Sequence, residues 1–260
     1  METRLDEIAD GIHRISRHLP EGAVQAPGGL TVSQFLVLAE EPLLFHAGLR
    51  SGFPDLVTKL RRLLPLARLR WLSFGHVEAD ECGALNLMLA AAPFAEVAVV
   101  EAGPPGSVQD LADRTPRLLA PGEVLDLGGR RVVPVPTPHA PHNREAQVLF
   151  EETTGTLLCG DLFTQLARGP AVTTGDVVGA ALDAETACPT AAPGPAVPAA
   201  LRALAPLRPR TLATMHGSAY EGDGAAALTA LADGWEARFS AGDDDRGGPD
   251  PDGRVVSGHG

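Results

Sequence analysis

GHVEADECG, residues 75–83, is the stretch that decides how this chain folds and what it binds. It follows an apolar run, LRWLSF at 69–74, and precedes another, ALNLMLAAA at 84–92, so a buried strand, a loop and a helix are predicted in that order. Four of its side chains are of types that bind metal ions: His76, Glu78, Asp80 and Glu81. A helix would put His76 and Asp80 on one face and point Glu78 away, whereas a loop between Gly75 and Gly83 lets all of them converge. Alone, such an acidic stretch could equally be a solvated surface loop.

Three later segments share one pattern, in which an apolar strand is followed by a His or an Asp beside Gly or Pro. They are VPTPHAPH at 135–142, LLCGD at 157–161 and LATMHG at 212–217, and they offer His139, Asp161 and His216. Strands that end at one edge of a sheet bring such residues together, which favours a metal site shared with the first stretch. Taken singly, the three have ordinary alternatives: a structural loop residue, a cap for a helix at 162–167 and a buried core histidine.

Short apolar runs separated by turn signals continue along the chain, and its 29 glycines and 23 prolines suit many tight connections. The pattern predicts helices at 53–66, 84–92, 108–119, 199–207 and 225–239. It predicts strands at 8–15, 31–38, 42–45, 69–74, 97–100, 147–150, 156–159 and 210–215, with a hairpin at Gly128-Gly129. These elements fit an α/β fold with four layers, a helix–sheet–sheet–helix sandwich. A doubly wound parallel sheet is the alternative, but no Gly-rich phosphate loop follows a strand.

Charge and cysteine content narrow the function further. The net charge is −12 and no basic stripe with interleaved aromatics is present, so nucleic-acid binding is not expected. Cys82, Cys159 and Cys188 include no CxxC pair, which argues against a disulfide framework and a thiolate zinc cage. Without a signal-peptide pattern or an apolar run of about 18 residues, we expect a cytoplasmic protein that does not enter the membrane. We expect one domain at 1–240 and a disordered acidic tail at 241–260.

The order of the metal-binding motifs resembles that of the metallo-β-lactamase superfamily. HxExDE, then His, then Asp, then His is most similar to the β-lactamase-like domain of flavodiiron proteins and to the stand-alone oxygen-binding di-iron proteins. The resemblance covers residues 8–239 and includes GGLTVSQFLV, PLLFHAG, FGHVEADECGALN, TPHAPHN, EETTGTLLCGDLF and MHGS. It implies the four-layer αββα sandwich and a centre of two metal ions.

By position, the resemblance divides six residues between two ions: His76, Glu78 and His139 on the first, Asp80 and His216 on the second, and Asp161 as a bridge. Flavodiiron proteins usually carry HxExDH, so Glu81 replaces their last histidine, and whether it binds metal directly or through water stays open. Zinc hydrolases of this fold, typically HxHxDH, are richer in imidazole. Four carboxylates and three histidines therefore favour two iron ions, with zinc or manganese as alternatives.

Three further residues near these motifs could support the ligands: His142, His46 and Tyr220. His46 follows a strand at a position where many members of this fold carry an Asp, and a buried, hydrogen-bonded histidine is the equal alternative. Cys82 and Cys159 flank the ligands, but we expect them to pack as small buried side chains.

Two classes of function suit this site, and a non-catalytic relative is a third. The first is binding of O2 or NO, with reduction only if an external donor protein supplies electrons, since residues 240–260 are too few for an FMN domain. The second is hydrolysis of a small ester, thioester or lactone by two zinc ions, with Asp80 as the catalytic residue that orients the nucleophile. The Glu at position 78, where zinc hydrolases have a His, weakens this second hypothesis. The sequence is compatible with a homodimer.

Overall fold

The computed structural model describes residues 2–100, 107–191 and 194–244. The first half of the chain forms β1 (Thr3–Ala9), β2 (Ile12–Leu19), β3 (Leu30–Val37), β4 (Leu43–Phe45), α1 (Phe53–Leu60), β5 (Trp71–Ser73), α2 (Ala79–Cys82), α3 (Leu85–Ala91), β6 (Glu96–Val100), α4 (Ser107–Leu111) and β7 (Arg117–Leu119). Its seven strands pair in sequence order, antiparallel from β1 to β4 and parallel from β4 to β7. Parallel neighbours need crossover connections, which contain α1, α3 and α4.

The second half builds a second sheet of seven strands. Its elements are β8 (Leu125–Asp126), β9 (Arg131–Pro136), β10 (Gln147–Glu151), β11 (Thr156–Gly160), β12 (Val172–Thr173), α5 (Val177–Ala187), α6 (Ala196–Leu204), β13 (Thr211–Thr214), β14 (Ala219–Glu221) and α7 (Gly224–Asp244). The strand order is β12-β14-β13-β11-β10-β9-β8. Strands β8 to β11 form an antiparallel meander, and β11 pairs parallel with β13 after the crossover through α5 and α6.

Three apolar cores define the layers. Between the sheets, Phe35 and Phe45 of the first sheet share a core with Leu158 of the second. Successive strand residues point to opposite faces, so the neighbouring Leu36 packs outward with α1 and α3. The outer face of the second sheet packs in the same way against α5, α6 and α7, for example through Leu157. The predicted four-layer α/β/β/α sandwich is confirmed.

Two predicted elements differ from the structure for local reasons. Residues 8–15 are not one strand but the centre of the β1–β2 hairpin, because the chain turns at Gly11 with a φ of 66°. The helix predicted at 108–119 ends at Leu111 and gives way to β7, since Pro116 disfavours helical geometry in the residue before it.

Helix α5 and the short strands β12 and β14 have no counterpart among the predicted elements. Helix α5 begins at a cap in which the Asp176 carboxylate accepts a 2.8 Å hydrogen bond from the backbone N–H of Gly179. Helix α7 extends to Asp244, four residues into the predicted tail, and no proline interrupts it. The remaining tail, 245–260, lies outside the described residues. Within the described ranges, none of the helices combines the length and the apolar character that a bilayer crossing requires.

Candidate metal centre

The acidic stretch of 75–83 is half loop and half helix. Glu78 has extended geometry, with φ −142° and ψ 158°, and stands at the cap position before α2. Asp80 and Glu81 lie in the first turn of α2. Because adjacent residues of a helix point about 100° apart, the two carboxylates face different sides of the loop.

The first group of donors contains His76, Glu78, His142 and Asp161, with donor atoms that all lie within 4.8 Å of one another. The Nε2 atoms of His76 and His142 are 2.8 Å apart, and each also approaches Glu78 Oε2, at 2.8 and 3.1 Å. Asp161 Oδ2 lies 3.7 Å from both Nε2 atoms. These donor atoms, drawn from three separate segments, therefore converge on one point.

A second group shares Asp161 with the first. The Nε2 atom of His216 lies 3.2 Å from Asp161 Oδ1 and 3.5 Å from Asp80 Oδ2. The two carboxylate oxygens of Asp161 thus face different groups of partners. Residues 161–163 form a turn and no helix follows them, so Asp161 does not act as a helix cap.

In the segment TPHAPHN, the structure places His142, and not the predicted His139, beside the other donors. His139 is exposed, with a φ of 63°, and its backbone N–H donates to the carbonyl of Asn143 at 2.7 Å. This tight turn carries the side chain of His142, not that of His139, into the cluster. The sequence offers two histidines three residues apart, and nothing in their spacing distinguishes them.

Glu81 lies behind His76, away from the point where the other donors converge. Its carboxylate is fully buried and accepts a 2.6 Å hydrogen bond from the backbone N–H of His76. Glu81 Oε1 is 3.2 Å from His76 Nδ1 and 3.5 Å from Nε2 of the fully buried His46. A Cβ atom at Gly75 would lie only 2.8 Å from Glu81 Oε1, so this packing requires glycine there.

Two histidines are oriented by contacts on the ring nitrogen that faces away from the cluster. His216 Nδ1 lies 2.9 Å from the carbonyl of Thr31, and since a carbonyl only accepts, Nδ1 carries the proton. The Glu81 carboxylate orients His76 in the same way, through its 3.2 Å contact with Nδ1. Each Nε2 lone pair is thereby turned toward the other donors, as a metal ligand requires. Arg14, on β2 of the first sheet, holds the loop that carries His216, because its guanidinium donates to the carbonyl of the adjacent Gly217.

The remaining predicted residues stay outside the cluster. Tyr220 lies half-buried in β14, opposite Leu212 of β13, and packs at the edge of the core under α7. Cys82 and Cys159 are buried and donate to backbone carbonyls, and burial raises the pKa of both thiols. They pack as small side chains.

Buried carboxylates and imidazoles lie close together in this cluster, and their contacts shift the pKa values of both kinds of group. Burial, together with Asp161 and Glu78, raises the pKa of Asp80 to about 6, although His216 opposes the shift. Burial lowers the pKa of His76, but its contacts with the carboxylates outweigh that effect and raise it to about 11. The same balance raises the pKa of His216 to about 9. In the metal-free protein, imidazolium groups therefore compensate the acidic charge.

The donor set fits a metal ion better than a network of hydrogen bonds. Three atoms, one on each of His76, Glu78 and His142, meet within 3.1 Å. Glu78 Oε2 can accept from both imidazoles, but their Nε2 atoms are only 2.8 Å apart, so two N–H groups directed at that oxygen would repel each other. Asp161 Oδ1 is buried and accepts no well-oriented hydrogen bond from the described residues. Imidazole nitrogen and carboxylate oxygen are ligands common to iron, zinc and manganese.

Comparisons with known proteins identify the fold. No protein-family model matches the chain, and no curated protein matches its sequence. Among solved structures, the metal-soaked Flv1 flavodiiron core from Synechocystis sp. PCC6803 superposes with a TM-score of 0.79 at 23% identity, covering 92% of this chain and 62% of that one. The chain therefore has the metallo-β-lactamase-like fold found in flavodiiron cores, and the predicted resemblance is confirmed at the level of the fold.

Two further structures extend the comparison. Rubredoxin oxygen:oxidoreductase from Desulfovibrio gigas gives a TM-score of 0.74 at 19% identity, covering 91% of this chain and 62% of the other. A fragment, 1–254, of the putative diflavin flavoprotein A 5 from Nostoc sp. PCC 7120 gives 0.77 at 19% identity, covering 91% and 98%. The chain thus spans less than two thirds of the length of two of these three proteins.

A pair of histidine variants tests which of the two histidines, His139 or His142, binds metal. We expect His142→Ala to lose one metal ion per chain, because Nε2 of His142 lies among the first group of donors. His139→Ala, the matched control three residues away, should retain full metal content. Metal analysis after dialysis against a weak chelator measures the difference. Equal losses in both variants, or a loss only in His139→Ala, would contradict the geometry.

The pKa shifts predict proton release on metal binding. At about pH 7.5 His76 and His216 should carry protons in the metal-free protein, because their pKa values lie above that pH. Metal ions bind neutral imidazole, so binding should release about two protons per chain, and the apparent affinity should fall as the pH is lowered from about 8 to about 6. Calorimetry in two buffers of different ionisation enthalpy counts these protons. A binding heat that does not depend on the buffer would refute the prediction.

Proposed function

We propose that this chain holds two metal ions, with iron as the physiological pair, and binds O2 or NO there. Six residues would hold them: His76, Glu78 and His142 on the first ion, Asp80 and His216 on the second, and Asp161 between both. The position of Asp161 carries the proposal, because its two oxygens face the two donor groups separately. Bound iron would supply the reversible one-electron chemistry that O2 and NO require.

The choice of iron rests on the character of the donors. Three carboxylates face the cluster, those of Glu78, Asp80 and Asp161, and hard oxygen donors favour ions that reach higher oxidation states. Solved structures of the same fold are described as flavodiiron proteins and as an oxygen oxidoreductase. We apply that description to this chain as a proposal. Electrons for any repeated reduction would come from a donor outside the described residues, and a homodimer stays a prediction.

We further propose that Glu81 positions His76 and does not bind metal. Its carboxylate contacts both the backbone N–H and Nδ1 of His76, and neither oxygen is aimed at the point where the other donors meet. A carboxylate behind a metal-bound histidine fixes the proton on the far nitrogen and strengthens the near one as a ligand. His46 lies against the same carboxylate, with Nε2 3.5 Å from Glu81 Oε1, and burial lowers its pKa, so at neutral pH it contacts Glu81 as a neutral imidazole.

Hydrolysis of a small ester, thioester or lactone is the alternative function. It would use Asp80 to orient a nucleophile, and burial does raise the pKa of Asp80. Glu78 weighs against it, since this carboxylate lies in the first donor group where zinc hydrolases of this fold carry an imidazole. The oxygen-binding function is therefore the better supported of the two.

Anaerobic loading with ferrous iron tests the proposed function. We expect two iron ions per chain and a change in the ultraviolet–visible spectrum when O2 is admitted. Asp161→Asn should bind at most one iron and lose the response, because the shared carboxylate charge is removed. Asp183→Asn, on the exposed face of α5, is the control and should behave as the unaltered protein. Stoichiometric zinc in the purified protein, together with no O2 response of the iron form, would overturn the assignment.

The role of Glu81 has its own test. Glu81→Gln keeps the shape but removes the charge behind His76, so both metals should remain bound with an affinity about 10- to 100-fold lower. Glu145→Gln is the matched control, because Glu145 touches the same loop through the backbone N–H of Val77 at 3.2 Å. Titration against a competing chelator measures both variants. Complete loss of one ion in Glu81→Gln, with the other unaffected, would show that Glu81 is a direct ligand.

A further inference from the structure

A cavity of about 250 Å³ runs from the metal-binding cluster into the second half of the molecule. One end is bounded by donor side chains: Glu78, Asp80, His142, Asp161 and His216. The walls beyond them are mainly apolar and come largely from α5, α6 and α7: Leu162, Ala181, Ala184, Val197, Leu231 and Trp235. A charged end and a hydrocarbon-lined end therefore belong to one continuous space.

The apolar walls are part of the packed core and not of a loose surface loop. Val197 and Leu231 are at most 2% exposed and belong to the cluster that packs the three helices against the second sheet. On the exposed side, Arg202 of α6 contacts Asp233 and Glu236 of α7 at 2.8 and 2.6 Å. The apolar walls of the cavity therefore belong to the packed part of the molecule.

The volume of the cavity exceeds what a diatomic molecule needs. An apolar cavity of about 150 Å³ already accommodates benzene, so this one has room for roughly eight non-hydrogen atoms besides a group at the metals. Water gains little in such a space, because apolar walls offer it no hydrogen bonds. A ligand with a short hydrocarbon part would use the apolar walls fully.

The head group of such a ligand would lie at the charged end of the cavity. Its chemistry follows from the metal ions there, so the choice of head group rests on the proposed function. Two divalent ions carry four positive charges, and the three carboxylates that would bind them carry three negative charges. The ions with these ligands therefore keep a net charge of about +1, which one further carboxylate neutralises. The other carboxylate of the cavity wall, that of Glu185, is already held by the backbone N–H groups of Thr190 and Ala191, at 3.0 and 3.3 Å. The hydrogen-bonding capacity of the Glu185 carboxylate is therefore taken up by the protein itself.

From these observations we infer that the cavity binds a small aliphatic or aromatic carboxylate. The carboxylate group of the ligand lies at the two metal ions, and its hydrocarbon part lies between α5, α6 and α7. The metal centre would thus bind an organic carboxylate in addition to O2 or NO.

A homologous series of ligands tests the inference on the metal-loaded protein. Straight-chain carboxylates from acetate to octanoate are titrated anaerobically, with calorimetry and tryptophan fluorescence, to which Trp235 of the cavity wall contributes, as readouts. Affinity should rise about fourfold per methylene group and level off once the cavity is full. The matching alcohols should show the same rise on metal-free protein, whereas the carboxylates should bind only when the metals are present. Carboxylates that bind without dependence on length, or not at all, to protein with two metals would overturn the inference and leave the dinuclear proposal intact.

Variants of α5 compare a residue that lines the cavity with a residue on the exposed face of the same helix. Ala184→Leu places a side chain in the cavity and should abolish the dependence on chain length while both metals stay bound. Ala187→Leu, on the exposed face of the same helix, is the matched control and should retain that dependence. If Ala184→Leu does not fold, the smaller change Ala181→Val serves the same purpose and should weaken binding of the longer members. If protein saturated with metal still holds fewer than two ions, while the alcohols bind with the expected rise, the dinuclear proposal and the carboxylate head group are overturned together.

Discussion

The carboxylate of Asp161 is the contact around which the rest of the site is arranged. One oxygen faces His76 and His142, and the other faces His216. Burying this charge beside Asp80 is unfavourable unless positive charge is brought to it. In the metal-free protein that charge comes from imidazolium groups, and two metal ions would replace it. The burial and the neighbouring carboxylates that raise the pKa of Asp80 would therefore make metal binding favourable and couple it to folding.

The fold solves the problem of bringing these residues to one place from distant parts of the sequence. The first sheet supplies His76 and its neighbours after β5, and the second sheet supplies the other three donor segments after β9, β11 and β13. Gln147 of β10 fixes the two sheets at this edge. Its side chain accepts from the backbone N–H of Val100 at 2.9 Å and donates to the carbonyl of Phe74 at 2.8 Å. The donors thus rest on a rigid junction of both sheets.

Sequence patterns predicted most of the fold because apolar runs and turn residues are local signals. The strands at 31–38 and 156–159 and the helix at 84–92 follow from periodicity alone, and the structure has them within two residues. Helix α5 was missed because its apolar residues surround the helix, part of which lines a cavity, and so give no clear stripe. The choice between His139 and His142 depended on how a tight turn points two side chains. That is a three-dimensional property with no periodic signal.

Glu81 and His46 are two departures from the common pattern that lie in contact with each other. Many members of the fold carry an Asp at the position of His46, and flavodiiron proteins usually carry a His at that of Glu81. Here the two side chains are 3.5 Å apart and fully buried. On our proposal, the Glu81 carboxylate lies behind His76, and the second metal ion has one imidazole ligand fewer. With only Asp80, Asp161 and His216 as protein ligands, that ion would keep more positions open toward the cavity, which is where an added ligand would bind.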